Sequence, residues 1–302
     1  MNAPPLVFDR RLLALRRARA GAAAPDFLLR HVAGDILERL GAVQRSFAVA
    51  ADIGTPLPLL AEEAAASGRV GRIVRLAPPG TPPGAGVETV VGDEEALPFA
   101  AGSLDLAVSA LSLQFANDLP GVLAQVRRAL RPDGLLLAAL VGGESLRELA
   151  EVLALAEAEV TGGASPRVAP FVEVRGAGGL LQRAGFALPV VDQDRVTVRY
   201  ADAIALMRDL RAMGATSILL ERSRRPLRRA VLVEAAADYA ARFADPDGRI
   251  RVTFDIVSLS GWVPHESQQK PLAPGSARVR LADALGARER KAGEKAGGPP
   301  GA

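Results

Sequence analysis

The segment 47–58 constrains the fold of this chain more than any other feature. It begins with a short apolar run that reaches Asp52, which predicts a buried strand, then a turn at Gly54 and then a helix. Nucleotide-binding α/β proteins place alternating glycines in such a turn, because the ligand needs close contact with the backbone. Pro56 and Pro58 occupy the later positions of that run here, and proline has no N–H to donate. The segment therefore predicts a ligand-binding turn that has lost two backbone donors.

Apolar strands and helical periodicity alternate from this segment to about residue 141. The predicted strands are 47–53, 72–76, 87–91, 104–111 and 135–141. The predicted helices are 26–40 before the first strand, and 59–66, 118–130 and 144–160 after it. This alternation favours a parallel, doubly wound sheet, whose ligand crevice lies beyond the carboxyl ends of the strands.

The last third of the chain predicts fewer strands and more helices. A helix over 176–184 comes before a hairpin-like pair of strands, 187–192 and 195–200. Two helices follow, about 201–213 and 226–244, and then a last strand over 249–262. The tail over 286–302 is rich in Gly, Lys, Glu and Pro, which predicts disorder.

Composition excludes several classes of function. The absence of cysteine excludes disulfides, thiolate metal sites and thiol catalysis. The net charge is only +3, and the abundance of arginine, alanine, glycine and proline indicates a coding bias, so we expect no nucleic-acid partner. No apolar run reaches the roughly 18 to 20 residues that span a bilayer. The arginines between 10 and 19 predict an amphipathic first helix, and a membrane-surface helix remains an alternative.

Three motifs in the first half of the chain resemble class I S-adenosylmethionine (SAM)-dependent methyltransferases. They are the segments 92–99, 103–120 and 130–134. A second set is similar to the family of mitochondrial complex I assembly factor 5, which is related to the malonyl-acyl-carrier methyltransferase of biotin synthesis. The motifs of this second set are the segments 8–10, 142–149, 162–170, 207–214, 261–262, 265–268, 270–271 and 275–276. The resemblance spans about 8–285, and the second set is the more specific of the two.

The resemblance implies an α/β fold, a doubly wound seven-stranded methyltransferase-like sheet with N-terminal helices and a helical insertion before the last strand. We therefore expect an N-terminal helical region over 1–45 and a methyltransferase-like domain over 46–285. The helical insertion is expected at about 201–248, and the disordered tail over 286–302 completes the chain.

The resemblance also implies which residues hold SAM. Carried over residue by residue, the cofactor-binding candidates are Asp52, Gly54, Asp93, Glu94 and Ser109. Pro56 and Pro58 depart from the family pattern, and no acid stands at the end of the second strand to hold the ribose hydroxyls. Lost hydrogen bonds to charged groups, at roughly 1.5–3 kcal/mol each, predict weak or lost SAM binding.

Candidates for catalysis are fewer. Gln114 and His265 are the two candidates to face the substrate. His265 next to Glu266 has the chemistry of an acid/base pair or of half a metal site, and a loop-stabilising role is favoured because no third ligand lies nearby. For Gln114, packing at the start of a helix is the alternative. Two histidines without a third ligand nearby predict no metal site. His31 lies in a helical pattern and is expected to be structural.

Three functions remain open on the sequence alone. The first is SAM-dependent methylation or arginine hydroxylation of a protein substrate during complex I assembly, with a complex I subunit as the partner. The second is a non-catalytic assembly factor with a degraded SAM site, and the third is a small-molecule or acyl-carrier methyltransferase. Because the chain begins close to the segment 8–10, we expect a cytoplasmic bacterial protein, with the mitochondrial matrix near the inner membrane as the alternative.

Overall fold

The computed structural model describes residues 6–268 together with residues 283 and 286. The chain divides after His265, and the fold given below is that of residues 6–265. The helices are α1 Arg10–Ala20, α2 Phe27–Ala42, α3 Leu59–Ala66, α4 Leu119–Ala129, α5 Arg147–Thr161, α6 Val174–Ala184, α7 Ala203–Ala212 and α8 Arg229–Phe243. The strands are β1 Phe47–Ile53, β2 Val70–Ala77, β3 Glu88–Val91, β4 Leu104–Ala110, β5 Leu130–Gly142, β6 Ala187–Tyr200 and β7 Ile250–Trp262.

Some predictions fall outside the described residues. They are the segments 270–271 and 275–276, the domain boundary at 285 and, apart from Gly286, the tail over 286–302. The division of the chain into three regions therefore stays a prediction.

Within the described residues, seven strands form one sheet in the order β3-β2-β1-β4-β5-β7-β6. The first five strands in that order are parallel, whereas β7 runs antiparallel to both of its neighbours. This confirms the predicted α/β class and the doubly wound, seven-stranded sheet. The order of the strands reverses between β1 and β4, which is where such sheets bind ligands.

The sheet lies between two apolar layers. α2, α3, α5, α7 and α8 pack on one face, and α4 and α6 pack on the other. Every residue of β4 is buried, as expected for a strand that is covered on both sides. Neighbouring residues of β4 serve opposite layers, since Leu106 belongs to the first layer and Ala107 to the second. Among the described residues, no helix combines the length and apolar character that crossing a membrane requires.

The predicted hairpin over 187–200 is wrong, because the structure has one continuous strand there. β6 pairs with β7 along its length. The polar stretch in its middle resembles a turn, but its side chains pair with other elements: Asp192 with Arg39 of α2 at 2.6 Å, and Arg195 with Asp255 of β7 at 2.7 Å. At an edge strand, polar side chains with such partners are compatible with strand structure.

Asp255 ties three elements together. Its buried carboxylate accepts hydrogen bonds from the backbone N–H of Glu144, at 2.9 Å, and from Arg195 of β6. The turn that holds Glu144 delays the start of α5, which was predicted at 144, until Arg147. Leu146 has a φ of 59° in this turn, where a helix cannot yet have begun.

We expect the substitution Asp255→Ala to lower the free energy of unfolding by about 1–3 kcal/mol, because the part-buried N–H of Glu144 loses its acceptor and Arg195 keeps only Glu144 as a carboxylate partner. The measurement is urea denaturation followed by circular dichroism. Asp194→Ala on β6 is the matched control, since that carboxylate is 65% exposed, and its effect should stay within about 0.5 kcal/mol. Equal effects of the two substitutions would contradict this role of Asp255.

Candidate functional site

The turn after β1 is tied to the end of β4 by side chains of the protein itself. Asp52 is fully buried, and one of its carboxylate oxygens accepts a short hydrogen bond from the hydroxyl of Thr55. The same hydroxyl oxygen accepts from the N–H of Ala110 at 3.1 Å. Ser109 donates from its Oγ to the carbonyl of Ile53 at 2.6 Å. Asp52 and Ser109, both predicted to bind the cofactor, thus hold this edge of the sheet together.

Arg75 lies near the end of β2, where the family resemblance implies an acid. It lies in β2 directly beside Asp52, and it is fully buried. Its Nη2 donates to the carbonyl of Thr55 at 2.9 Å and to that of Pro56 at 3.4 Å. Its Nη1 donates to the carbonyl of Pro82, at 2.7 Å, in the loop that follows β2. Two carbonyl oxygens of the turn, those of Thr55 and Pro56, therefore point at the guanidinium of Arg75.

Burial outweighs the positive charge of Arg75 in setting the acidity of Asp52. Loss of solvent raises the pKa of Asp52 to about 7, although the hydrogen bond from Thr55 and the charge of Arg75 both act to lower it. The nearest approach of the two charged groups is 4.0 Å, between Nε of Arg75 and Oδ2 of Asp52. Neither atom has a hydrogen-bond partner among the described residues. The pair is close but poorly matched, which is the costly arrangement for buried charges.

The side chain of Glu94 occupies the space beside Gly54. A Cβ atom built on Gly54 would lie 2.7 Å from Oγ of Ser112 and 3.4 Å from Cδ of Glu94. Glu94 is fully buried and accepts a hydrogen bond from Ser112 at 2.9 Å. In a ligand-binding turn this glycine allows the ligand to approach the backbone. Here two side chains of the protein make that approach.

Helix α1 adds two arginines to Glu94. Arg10 contacts both carboxylate oxygens, at 3.0 and 2.8 Å, and also reaches Asp93 at 2.7 Å. Arg17 lies 3.9 Å from Glu94 and is itself buried, which lowers its pKa to about 10. Burial alone would raise the pKa of Glu94, but Arg10 and Arg17 outweigh it and lower that pKa. The cluster is a stable network of ionised groups across the crevice.

The residues present do not fit SAM as it binds in the family pattern. Its carboxylate needs backbone N–H donors at the helix N-terminus, whereas the turn offers carbonyls and two prolines. Its ribose needs an acceptor at the end of β2, where Arg75 is a donor. Asp93, the candidate for the adenine amino group, is bound by Arg10. Five of the predicted site residues therefore come together around this crevice, but their polar atoms contact one another or nearby protein groups.

An apolar cavity of about 350 Å³ adjoins this crevice. Gln114 lines the cavity, and its Nε2 donates to the carbonyl of Leu111 at 2.9 Å. Its Oε1 is buried without a hydrogen-bond partner among the described residues. Gln114 therefore belongs to the cavity wall, and its facing a substrate stays a prediction.

His265 lies elsewhere, and the structure contradicts the expectation that it faces the substrate. Trp262, at the end of β7, pairs with Leu135 near the beginning of β5. The exposed His265 therefore follows β7 at the edge opposite to Asp52, which ends β1. The sequence could not reveal this, because an alternating strand pattern does not encode the direction of the strand. Elsewhere in the described part of the chain, no group of three His, Asp or Glu side chains is arranged to hold a metal ion.

Sequence reasoning missed Arg10, Arg17 and Arg75. Arg10 belongs to a segment that carries the family resemblance, so a signal existed for it. Arg75 replaces an expected acid, and a change of charge at that position is itself a signal. No sequence signal pointed to Arg17, since it is one of several arginines in the same helix.

The raised pKa of Asp52 predicts a pH dependence of stability. A carboxyl group whose pKa rises from 3.8 to about 7 on folding contributes stability that is fully present below pH 3.8 and lost as the pH rises through 7. We expect up to about 4 kcal/mol of destabilisation across that window. Unfolding should be measured in urea at pH 4 to 8 for the wild type and for Asp52→Asn, which cannot titrate. The stability difference between the two proteins should change across this range, and a constant difference would contradict the raised pKa.

Comparisons with known proteins agree with the fold. A family model described as a methyltransferase domain matches residues 65–138. The chain is 15% identical to a crystal structure of a Bacillus halodurans protein titled as a methyltransferase, with a TM-score of 0.52 over 77% of this chain and 99% of that one. The YcgJ protein of Bacillus subtilis has the same TM-score at 14% identity, covering 78% of this chain and 99% of its own. These two structures support the fold alone.

Curated relatives are more specific. The zebrafish (Danio rerio) protein named arginine-hydroxylase NDUFAF5, mitochondrial, is 37% identical over 271 residues, which are 85% of this chain and 82% of that protein. Its mouse (Mus musculus) counterpart is 38% identical over 85% of this chain and 76% of its own length. A malonyl-[acyl-carrier protein] O-methyltransferase of Laribacter hongkongensis is 37% identical over 62% of this chain and 60% of its own. With its methyltransferase fold and this extent of similarity, the chain belongs to the NDUFAF5 family.

Proposed function

We propose that this chain acts in the assembly of respiratory complex I as a protein-binding member of the NDUFAF5 family, with a SAM crevice closed by its own side chains. The observation that carries the proposal is Arg75, buried at the end of β2 with its guanidinium against the carbonyls of the proline-containing turn. A donor group fills the place of the ribose-binding acceptor, and it also turns the backbone of the turn the wrong way for a carboxylate.

The free energy of the missing hydrogen bonds favours loss of SAM binding over a small decrease in affinity. Two missing hydrogen bonds to a charged carboxylate correspond to about 3–6 kcal/mol. That range is a factor of roughly 10² to 10⁴ in the dissociation constant. Any ligand in the crevice must also displace Glu94 from Gly54 and break its contacts with Arg10. Breaking a buried ion pair adds a further cost.

An active arginine hydroxylase or protein methyltransferase is the second candidate, and the relatives named arginine-hydroxylase support it. Gln114 is the observation in its favour, because its unpartnered Oε1 could accept from a guanidinium in the cavity. Methylation of an acyl-carrier substrate is a third candidate, from the similarity to the Laribacter enzyme. Both need SAM in a crevice that its own side chains fill.

The proposed partner is a protein subunit of complex I. Exposed arginines at 224, 225, 228 and 229 support an acidic partner surface, or peripheral contact with the membrane that holds the complex. The mitochondrial names of the relatives support a place in the matrix if the chain is mitochondrial, and a bacterial chain would act on the cytoplasmic side.

Calorimetry with S-adenosylhomocysteine tests the closed crevice. We expect no binding by the wild type at millimolar ligand, and none by Pro56→Gly with Pro58→Gly, because Arg75 and Glu94 still fill the site. Adding Arg75→Ala and Glu94→Ala should produce measurable binding, a gain of at least tenfold in affinity. Pro78→Gly with Pro79→Gly, outside the turn, is the matched control. Micromolar binding by the wild type would refute the proposal.

A genetic test separates assembly from catalysis. The chain should restore NADH:ubiquinone oxidoreductase activity to a host that lacks its own family member, because the proposed role is to bind a subunit. Mass spectrometry of the assembled complex should find no added methyl group or oxygen on arginine. The zebrafish relative serves as the control in the same host. A modified arginine that depends on this chain would establish the enzyme instead.

A further inference from the structure

The cavity beside the crevice has apolar walls and the volume of a small ligand site. Leucines of α2 and α5 and a methionine of α7 belong to its lining, among them Leu28, Leu149, Leu153 and Met207. At about 350 Å³ it lies at the lower end of the range for ligand pockets. That is the space of about a dozen water molecules, at about 30 Å³ each in the liquid. A methylene group is of similar size, so the walls fit a chain of on the order of ten carbons.

One side of this cavity carries a positive charge without a carboxylate partner. Nη1 of Arg16 donates to the backbone carbonyls of Thr216, at 2.5 Å, and Ser217. Among the described residues, no carboxylate forms an ion pair with Arg16. Asp9, the nearest acid to influence it, is in contact with Arg222 at 3.3 Å. The Arg16 charge is therefore held by neutral carbonyls alone.

The other arginines that line the cavity are balanced. Arg167 pairs with Glu157 at 2.5 Å. Arg17 lies near Glu94, and the two carboxylates of Asp93 and Glu94 balance the positive charges of Arg10 and Arg17. The lining of the cavity thus carries a surplus of one positive charge, at Arg16. The hydroxyl of Ser217, a residue of the cavity lining whose carbonyl accepts from Arg16, is buried and without a hydrogen-bond partner among the described residues. A guanidinium without a carboxylate and a hydroxyl without a partner favour an anion.

We propose that the cavity binds a linear alkyl carboxylate of medium length, with its carboxylate at Arg16 and Ser217 and its chain along the leucine walls. This goes beyond the proposed function and does not depend on SAM. A cationic ligand such as an arginine side chain would meet the surplus charge of Arg16 and is disfavoured by Coulomb repulsion in a site of low dielectric. The carboxylate supplies both the acceptor and the missing negative charge.

The test is calorimetry on the whole chain with octanoate, decanoate, dodecanoate and hexadecanoate, each below its micelle-forming concentration. We expect one site per chain and an affinity that rises about threefold to fourfold with each added methylene until the cavity is full. Dodecyltrimethylammonium has the same chain with a positive head, and it should bind at least tenfold more weakly than dodecanoate. Native mass spectrometry checks the stoichiometry.

Two substitutions test where the alkyl chain and the carboxylate bind. Met207→Trp fills the cavity from α7 and should weaken dodecanoate at least tenfold. Arg16→Gln keeps a donor for the backbone carbonyls but removes the charge, so it should abolish the preference for the carboxylate over the ammonium. Arg228→Gln, on an exposed residue outside the cavity, is the matched control and should change neither. No binding at millimolar dodecanoate, equal binding of the two head groups, or undiminished binding by Met207→Trp would each overturn the proposal.

Discussion

The contact on which the site depends is the guanidinium of Arg75 against the carbonyls of the turn after β1. Backbone carbonyls that point into a buried space need donors, and proline at two positions removes the N–H groups that could have pointed there instead. The arginine and the prolines therefore belong together, because the guanidinium supplies donors to carbonyls of a turn in which two prolines have none. Asp52 lies beside them as a buried carboxyl group with a raised pKa.

Helix α1 also contributes charged side chains to the crevice. Its two arginines neutralise Glu94, which could not stay ionised and fully buried without them. Because Glu94 lies against Gly54, the helix, the turn and the loop after β4 are locked through one carboxylate. Opening the crevice thus requires that the ion pair of Glu94 with Arg10 and its hydrogen bond from Ser112 be broken.

The sequence predicted the fold well where the signal is local. The apolar runs of β1, β4 and β7 and the helix α3 were placed within about a residue, and the family motifs implied the doubly wound, seven-stranded sheet. The hairpin over 187–200 failed because the partners of its polar residues, such as Arg39 for Asp192, are distant in sequence. The closed crevice escaped prediction for the same reason: Arg10 and Glu94 are 84 residues apart, and nothing in either segment alone indicates the pair.

The crevice and the cavity share an edge of the sheet but have opposite chemistry. In the crevice, Arg10 pairs with Asp93 and Glu94, so little of these groups is left to bind a ligand. In the cavity, the walls are apolar, Arg16 has no carboxylate partner among the described residues, and the hydroxyl of Ser217 has no hydrogen-bond partner among them. A ligand at this end of the sheet would therefore meet apolar surface and one positive charge, that of Arg16, in the cavity, whereas in the crevice it would have to break existing ion pairs.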